Sequence, residues 1–235
     1  MHYFGGKQRI ADEICSVIRL LRGDRPYLEP FLGGANIITR LSGGRRVASD
    51  VVPDLIELYR ELQNGWVPPR DFSKAEYDII RASTGSSALR GFAAFGCSFA
   101  GKYFGGYAGQ DKRTTVSYAS NAANGLEKKR PGLMNVELSC VSYDTHQPTG
   151  YLIYCDPPYA NTTAYAGAPP FDSARFWAMC RWWAANDNIV LVSEYEAPSD
   201  IPVCWEKQVQ TEIRGKLGRI DRTEKLFLLM PKGAL

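Results

Sequence analysis

The chain has 235 residues, of which 45% are hydrophobic and 23% are charged, and its formal net charge is +3. This composition is ordinary for a globular protein, and no apolar run approaches the roughly 18 residues needed to span a membrane. The two histidines, His2 and His146, argue against a His-based zinc site and a Ser-His-Asp triad. The small positive charge permits nucleic acid as a partner but does not demand it.

Cysteine usage and the first residues indicate a cellular compartment. The six cysteines are scattered without a CxxC pair, and several stand within apolar patterns. We expect reduced, mostly buried thiols. The start of the sequence, MHYFGGKQRI, lacks the apolar core of a signal peptide. Together these features predict a cytoplasmic protein.

Residues 1–60 predict an alternation of helix and strand, because apolar residues recur at helical spacing between short extended runs. The predicted elements are a helix over 8–22, an extended segment at Tyr27-Leu28, a helix start at 37–41, a strand over 47–50 and a helix over 53–63. Pro53 suits the first position of the last of these helices.

The character of the sequence changes between Gly65 and about Pro131. Ser73 and Glu76 form a capping box for a short helix, and residues 89–107 mix small and aromatic side chains. A polar, basic run follows, so this part of the chain is predicted to be an insert with its own task. The run contains Lys112, Arg113, Asn121, Asn124, Lys128, Lys129 and Arg130.

Strand and helix alternate again from Val136. The predicted elements are strands over 136–140 and 152–155, a helix over 171–187, a strand over 188–195 and two strands near 209–213 and 225–230. Asp172 is the expected N-cap of the helix, with Phe171 and Phe176 as a hydrophobic staple. The alternation predicts an α/β fold with a mostly parallel sheet, helices on both faces and an antiparallel C-terminal hairpin.

The strand over 152–155 leads directly into Asp156-Pro157-Pro158-Tyr159. Neither proline can donate to a sheet ladder, so the chain leaves the sheet as a stiff, extended segment that is rich in acceptors. The Asp156 carboxylate suits an amino group, and the Tyr159 ring suits a planar ligand. A proline-rich turn with a capping aspartate is the structural alternative.

Three further features stand at predicted strand ends, where the binding sites of open α/β sheets gather. Residues 29–34 contain glycines that let the backbone approach a ligand closely. Asp50 follows the next strand and suits the two hydroxyls of a ribose, with an N-cap for the following helix as the alternative. Ser142 and Tyr143 follow the strand over 136–140.

In this order, the motifs resemble the Dam-like, D12-class family of adenine-N6 DNA methyltransferases. In that family an aromatic-x-Gly-Gly-Lys motif precedes an FxGxG-type cofactor turn, a DNA-recognition insert and DPPY. The corresponding segments are YFGGK at 3–7, FLGGA at 31–35, the insert, DPPY at 156–159, CVSYDT at 140–145, TAY at 163–165 and EKLFLL at 224–229. Ala35 stands where FxGxG has its second glycine, and an alanine fits there if its φ angle is negative.

The resemblance implies a Rossmann-like methyltransferase fold. Its catalytic, cofactor-binding domain comprises residues 1–60 and 136–235, and residues 61–135 form a small, mainly helical target-recognition insert. The implied reaction transfers a methyl group from S-adenosylmethionine, without a metal, to the N6 amine of a flipped adenine. The implied partner is double-stranded DNA, and the chain is expected to be a monomer or weak dimer in a bacterial or phage-infected cell.

The resemblance and the charge pattern together predict the site residues. Asp156, Pro157, Pro158 and Tyr159 are expected to be catalytic. Tyr3, Lys7, Phe31, Gly33, Gly34, Asp50, Ser142, Tyr143 and Asp156 are expected to bind the cofactor. Lys102, Tyr103, Arg113, Lys128, Arg130, Arg214, Lys216, Arg219 and Arg222 are expected to contact DNA. Core packing or a solvated surface is the structural alternative for most of these positions.

Other functions share parts of this pattern. An RNA base-amine methyltransferase also carries an acid or amide followed by two prolines and an aromatic, but the FGGK-type motif and the insert argue against it. A catalytically inactive DNA-binding relative would not need the acid of DPPY. A protein-glutamine methyltransferase usually presents Asn where Asp156 stands. Glu194, in VSEY, stands where the D12-class family often has an amide, and its role stays open.

Overall fold

The structure is a computed structural model that describes residues 1, 3, 5–110, 117–158, 171–212, 219–231 and 233. Of residues 210–212 and 219–221 it describes the backbone alone. Two compact units are present. The first comprises Met1–Ser16 and Phe31–Tyr143, and the second comprises Val17–Pro30 and Asp144–Leu235. The predicted insert, residues 61–135, lies within the first unit.

The first unit contains a parallel strand pair and most of the helices. Strand β2 (Arg46–Ser49) pairs with β3 (Val136–Ser139), with Arg46 opposite Val136. The helices are α2 (Pro53–Gln63), α3 (Lys74–Ala82), α4 (Ala88–Gly91), which continues into a π-helical turn at Phe92–Gly96, and α5 (Tyr118–Leu133). Helix α1 (Ala11–Arg22) begins in this unit. The core of the unit includes the fully buried rings of Tyr59, Tyr77, Phe92 and Phe95.

The second unit is built on five neighbouring strands. They are β1 (Tyr27–Glu29), β4 (Leu152–Cys155), β5 (Ile189–Glu194), β6 (Val203–Glu212) and β7 (Arg219–Leu229), in the order β1-β4-β5-β7-β6. The pairs β1–β4 and β4–β5 are parallel, whereas β5–β7 and β6–β7 are antiparallel. Helix α6 (Ser173–Ala185) connects the segment after β4 to β5. All residues of β1, β4 and β5 are buried.

The predicted α/β class is confirmed, with mostly parallel strands and an antiparallel C-terminal hairpin. The Ser73–Glu76 capping box and the Asp172 N-cap are also present, and the rings of the predicted staple pair Phe171 and Phe176 lie 5.4 Å apart. One element differs: the helix expected from residue 37 is a single 3-10 turn, Ile38–Arg40, because Leu41 already adopts an extended conformation. One turn is enough to bury Ile37, Ile38 and Leu41.

The state of the cysteines and the length and polarity of the helices can be compared with the expectations from composition. None of the six cysteines, all of which lie among the described residues, is paired, and Cys15, Cys97, Cys155 and Cys180 are buried. The expectation of reduced, mostly buried thiols is therefore confirmed. In the part of the chain that the structure describes, no helix is both long and apolar enough to cross a membrane.

Candidate active site

The glycine turn, defined here as residues 33–36, follows β1 in sequence and is tied to the end of β2. The N–H of Leu32, just before the turn, donates to the carbonyl of Ser49 at 2.9 Å, and the N–H of Ala35 donates to the carbonyl of Leu32 at 2.8 Å. Gly33 has a φ angle of +45° and Ala35 one of +51°. The condition under which an alanine fits easily, a negative φ angle, is therefore not met, and Ala35 occupies the left-handed region that favours glycine.

Four successive carbonyls of the glycine turn each accept a hydrogen bond from a side chain. The Tyr59 hydroxyl donates to Gly33 O at 2.9 Å, and the Lys129 ammonium donates to Gly34 O. Thr39 Oγ1 donates to Ala35 O at 2.6 Å, and Arg40 donates to Asn36 O. A strained backbone persists only where its surroundings over-determine it, and these four bonds do so here.

Asp50 is bonded to the glycine turn on one side and to the start of α2 on the other. Its Oδ2 accepts from Gly33 N at 2.9 Å, and its Oδ1 accepts from Val52 N at 3.1 Å. Burial raises the pKa of this carboxyl, and the N–H groups of Gly33, Val52 and Val51 oppose the increase. Val52, not Asp50, is the N-cap of α2. Three backbone N–H groups share the two carboxylate oxygens, so about one of their four lone-pair sites remains for a ligand hydroxyl.

Aromatic rings line the glycine turn. A Cβ atom added at Gly33 would lie 3.0 Å from Tyr3 Cε1, and one added at Gly34 would lie 3.0 Å from Tyr3 Cβ. The Tyr3 ring also packs against Phe95, with 5.1 Å between ring centroids. The contacts explain why two glycines stand here: any larger residue would push the turn away from Tyr3.

The remaining predicted cofactor residues of the first unit lie in two further places. The rings of Phe31 and Tyr143 stack on each other at 5.2 Å with an interplanar angle of 27°. Ser142, the residue before Tyr143, is half-buried. The Lys7 side chain is only 6% exposed, which is unusual for a lysine and does not fit a plain surface residue.

The predicted catalytic segment begins in the second unit, where β4 ends at Cys155. Asp156 is half-buried, Pro157 is buried and Pro158 is half-buried, while Tyr159 lies outside the described residues. Burial, followed by the carboxylates of Asp156 and Glu29, raises the pKa of the Tyr154 hydroxyl well above its ordinary value. The carboxylate of Asp156 thus acts electrostatically on a buried phenol near the carboxyl end of a parallel strand.

The residues predicted to bind DNA fall into distinct environments. Lys102, Lys128 and Arg222 are exposed. The Tyr103 hydroxyl donates to Asp54 Oδ2 at 2.7 Å, and Arg130 donates to the carbonyls of Leu62 and Trp66 at 2.9 and 2.7 Å. Tyr103 and Arg130 therefore have structural bonds of their own. Of Arg219 the structure describes only the backbone, in β7, and Arg113, Arg214 and Lys216 lie outside the described residues.

Two side chains of this site escaped sequence reasoning. Lys129 and Tyr59 donate hydrogen bonds to the glycine turn. The sequence pattern indicates only a helix around Tyr59 and a basic run around Lys129. A signal was available for Lys129. Neighbouring residues of a helix point about 100° apart, so Lys128, Lys129 and Arg130 cannot share one face.

Metal ligands do not gather in the described part of the chain. Among those residues, no group of three or more His, Cys, Asp or Glu side chains could hold a metal ion. The polar groups that do converge are backbone donors, carboxylates and hydroxyls, which suit an organic ligand.

The N-terminal motifs and the glycine turn coincide with a family match. Residues 3–83 match the family model described as D12 class N6 adenine-specific DNA methyltransferase, and the resemblance predicted from the motifs is thereby confirmed. One relative in sequence is the DNA adenine methylase of Vibrio cholerae serotype O1, classical strain. It is 27% identical over 199 residues, which cover 71% of this chain and 69% of that protein.

Two solved structures are also similar to this chain. The rRNA methyltransferase aviRa from Streptomyces viridochromogenes has a TM-score of 0.44 and 17% identity, with 95% of this chain and 85% of that chain covered. A protein of Thermoplasma acidophilum has a TM-score of 0.45 and 10% identity, with 95% of this chain and 89% of that chain covered.

Replacing Ala35 by glycine is expected to stabilise the protein by about 0.5–1 kcal/mol, because glycine adopts a positive φ angle without the clash of a Cβ atom. Urea unfolding measures the change. Ala75→Gly, at an exposed position of α3, is the control and should lower stability by up to about 1 kcal/mol. A loss of stability in Ala35→Gly as well would contradict the strain at Ala35.

Proposed function

We propose that the protein transfers a methyl group from S-adenosylmethionine to the N6 amine of an adenine in duplex DNA. The observation that carries this proposal is the end of β4: a fully buried strand delivers Asp156 and Pro157 at its carboxyl end. The match of residues 3–83 to an adenine-specific DNA methyltransferase family supports the same reaction.

The chemistry of this strand end suits an exocyclic amine. The amine of adenine is a poor nucleophile, because its lone pair is delocalised into the ring. Asp156 and the carbonyl of Pro157 each accept one hydrogen of the amine, which fixes the nitrogen and favours a more tetrahedral geometry. Catalysis then depends on positioning and electrostatics. Pro157 suits this role because it has a carbonyl and no N–H that would repel the amine hydrogens.

The first unit offers the groups that suit the cofactor. S-adenosylmethionine, when bound, supplies the methyl group on its sulfonium sulfur. Asp50 accepts from ribose hydroxyls, and the glycine turn lets the ligand approach the backbone. Phe31 and Tyr143 present flat rings that suit the adenine of the cofactor. The adenine that accepts the methyl group is a different one, and it has to leave the duplex to be reached, at a cost of a few kcal/mol. Tyr159 is proposed to stack on this target adenine.

The direct test is the transfer of labelled methyl groups to unmethylated duplex DNA, with ribosomal RNA and a protein extract as parallel substrates. We expect incorporation into DNA, recovered as N6-methyladenine after digestion to nucleosides. Sequencing of methylated positions in cells that express the chain would then give the recognition sequence. Incorporation into RNA or protein alone would refute the proposal and favour one of the alternative methyltransferases.

Phosphate contacts are expected to make the affinity for DNA depend on salt. The exposed Arg222 lies over the ring of Tyr195, at 5.4 Å from its centroid, on the hairpin that also carries Arg219. Replacing Arg219 and Arg222 together by methionine should reduce the slope of log affinity against log salt by about 0.9 for each lost contact. Arg181→Met, at an exposed position of α6 outside the predicted insert, serves as control. Unchanged affinity and slope in the double variant would place this hairpin away from DNA.

A further inference from the structure

The ammonium group of Lys129 lies at the centre of the glycine turn. It donates to the carbonyl of Gly34 and, at 2.8 Å, to Oδ1 of Asn36. One side chain therefore holds the backbone of one turn residue and the amide of another. Lys129 belongs to α5, about 95 residues later in the sequence than the atoms it holds.

The bond to Asn36 also fixes the orientation of its amide. Because Oδ1 faces Lys129, Nδ2 points the other way. A Cβ atom added at Gly6 or at Gly34 would lie 2.9 Å from Nδ2. Asn36 is buried, so its amide has little freedom to turn. Lys129 thus sets the packing between the N-terminal FGGK motif and the glycine turn.

The C-terminal part of α5, which carries Lys129, is held in place by hydrogen bonds from other parts of the first unit. Arg46 donates to the carbonyls of Gly132 and Met134 at 2.7 and 2.8 Å, and Gln63 donates to that of Leu133 at 2.7 Å. Gly132 is packed so closely that an added Cβ atom would lie 2.1 Å from Thr39 O. Because these bonds and contacts hold the backbone near Lys129 in place, its side chain can fix a loop that is distant in the sequence.

Two of the other three donors to the turn are nearby in the sequence. Thr39 and Arg40 lie within four residues of the carbonyls that they contact, and Tyr59 extends from α2. Lys129 alone among these four donors comes from the segment predicted as the target-recognition insert. The strained φ angle of Ala35 follows directly after the carbonyl that Lys129 holds.

We propose that Lys129 is a positioning residue for the cofactor, a role that rests on the proposed function of the glycine turn. Its ammonium holds the turn in the binding conformation before the ligand arrives. Without it, part of the binding free energy is spent on ordering the turn, so affinity falls. In this role Lys129 acts through the turn and not on the reacting atoms, so the chemical step at saturating cofactor should keep its rate.

The test compares Lys129→Met, which keeps length and loses the donors, with Lys129→Arg, which retains donors. Lys74→Met, an exposed lysine of α3, is the control. Calorimetry with S-adenosylhomocysteine should show about tenfold weaker binding for Lys129→Met, near-normal binding for Lys129→Arg and unchanged binding for Lys74→Met. In turnover, KM for S-adenosylmethionine should rise in Lys129→Met while kcat stays within about twofold.

Each other result has a defined meaning. Equal affinity of Lys129→Met and the unaltered protein would overturn the positioning role and leave the proposed function intact. Absence of binding by the unaltered protein itself would refute the cofactor assignment. A fall in kcat at unchanged KM would also overturn the proposal. If Lys129→Met does not fold, Lys129→Gln, which keeps one donor group, replaces it, and its affinity should lie between those of the unaltered protein and the tenfold loss.

Discussion

Asp156→Asn is expected to lower the single-turnover rate of methyl transfer by roughly 10²-fold or more, the scale seen when one preorganised polar group is removed from an active site. The variant keeps the shape of the side chain but turns one acceptor oxygen into a donor. That donor faces the amine hydrogens of the target adenine. Because Asp156 is half-buried at the end of a strand and not inside it, folding should be normal, and the other predicted cofactor residues should keep the cofactor bound.

Glu194→Gln is the matched control for Asp156→Asn. Cys155 is opposite Val192 in the parallel register, so Asp156 is level with Ser193, and Glu194 points to the other face of the sheet. The glutamine oxygen can still accept from Tyr195 N, a bond of 2.8 Å in the unaltered protein. This change should leave transfer within a few-fold. Near-normal transfer by a folded Asp156→Asn variant would mean that the DPPY segment only ends the strand and has no catalytic role.

Tyr159 offers an independent check of the same strand end. Loss of its ring in Tyr159→Ala should cut turnover through lost base stacking, worth about 1–3 kcal/mol. Tyr159→Phe keeps the ring and should be much milder. Single-turnover transfer to duplex DNA, with a melting curve for each variant, separates the two. Equal losses in both would mean that the hydroxyl, not the ring, carries the role.

Local chemistry explains most of what the sequence predicted correctly. A serine and a glutamate three residues apart at the start of an apolar-periodic segment favour a capped helix, and the Ser73–Glu76 box forms one here. The apolar runs at Leu152–Cys155 and Ile189–Glu194 form strands because only a buried sheet satisfies them on both faces. In each case the signal is a pattern of residues within the segment itself.

Long-range contacts decide what the sequence could not predict. The glycine turn that contains Ala35 accepts bonds from Tyr59 and Lys129, which are 24 and 94 positions from Ala35 in the printed sequence. Residues 89–107 showed only a mixture of small and aromatic side chains. In the structure, Phe92–Gly96 forms a π-helical turn, and Cys97 N bonds to Phe92 O at 3.2 Å. Neither result follows from apolar spacing.

The basic run 128–130 is a second place where the sequence alone could not predict the environment of each side chain. Its charge predicted DNA contact for Lys128 and Arg130 alike. In the structure Arg130 donates to the carbonyls of Leu62 and Trp66 near the end of α2, and its contact with DNA stays a prediction. Only Lys128 is exposed. Charge identifies a cationic segment, but the helical rotation of neighbouring residues decides which cation can reach a phosphate.

Asp50→Ala is expected to weaken cofactor binding by about 1–3 kcal/mol, the scale of a lost hydrogen bond to a charged group. Asp50 is only 8% exposed, and its oxygens already accept from Gly33 and Val52. The variant therefore also leaves two backbone donors without their acceptor and should lower the melting temperature. Calorimetry with S-adenosylhomocysteine, performed well below that temperature, measures the affinity. Asp71→Ala, an exposed acid of the same unit, is the control.

A second ligand separates the two roles that Asp50 can have. If its carboxylate accepts from the ribose, removing the 2′-hydroxyl from S-adenosylhomocysteine should weaken binding to the unaltered protein but hardly to Asp50→Ala. The two changes then couple in a thermodynamic cycle, as groups in direct contact do. A carboxylate that only fastens the glycine turn would give equal losses for both ligands, because the turn relaxes whichever ligand is present. We expect the coupled result, since the two oxygens of Asp50 together keep a lone pair beyond their backbone bonds. Unchanged affinity in Asp50→Ala would remove this residue from the cofactor site.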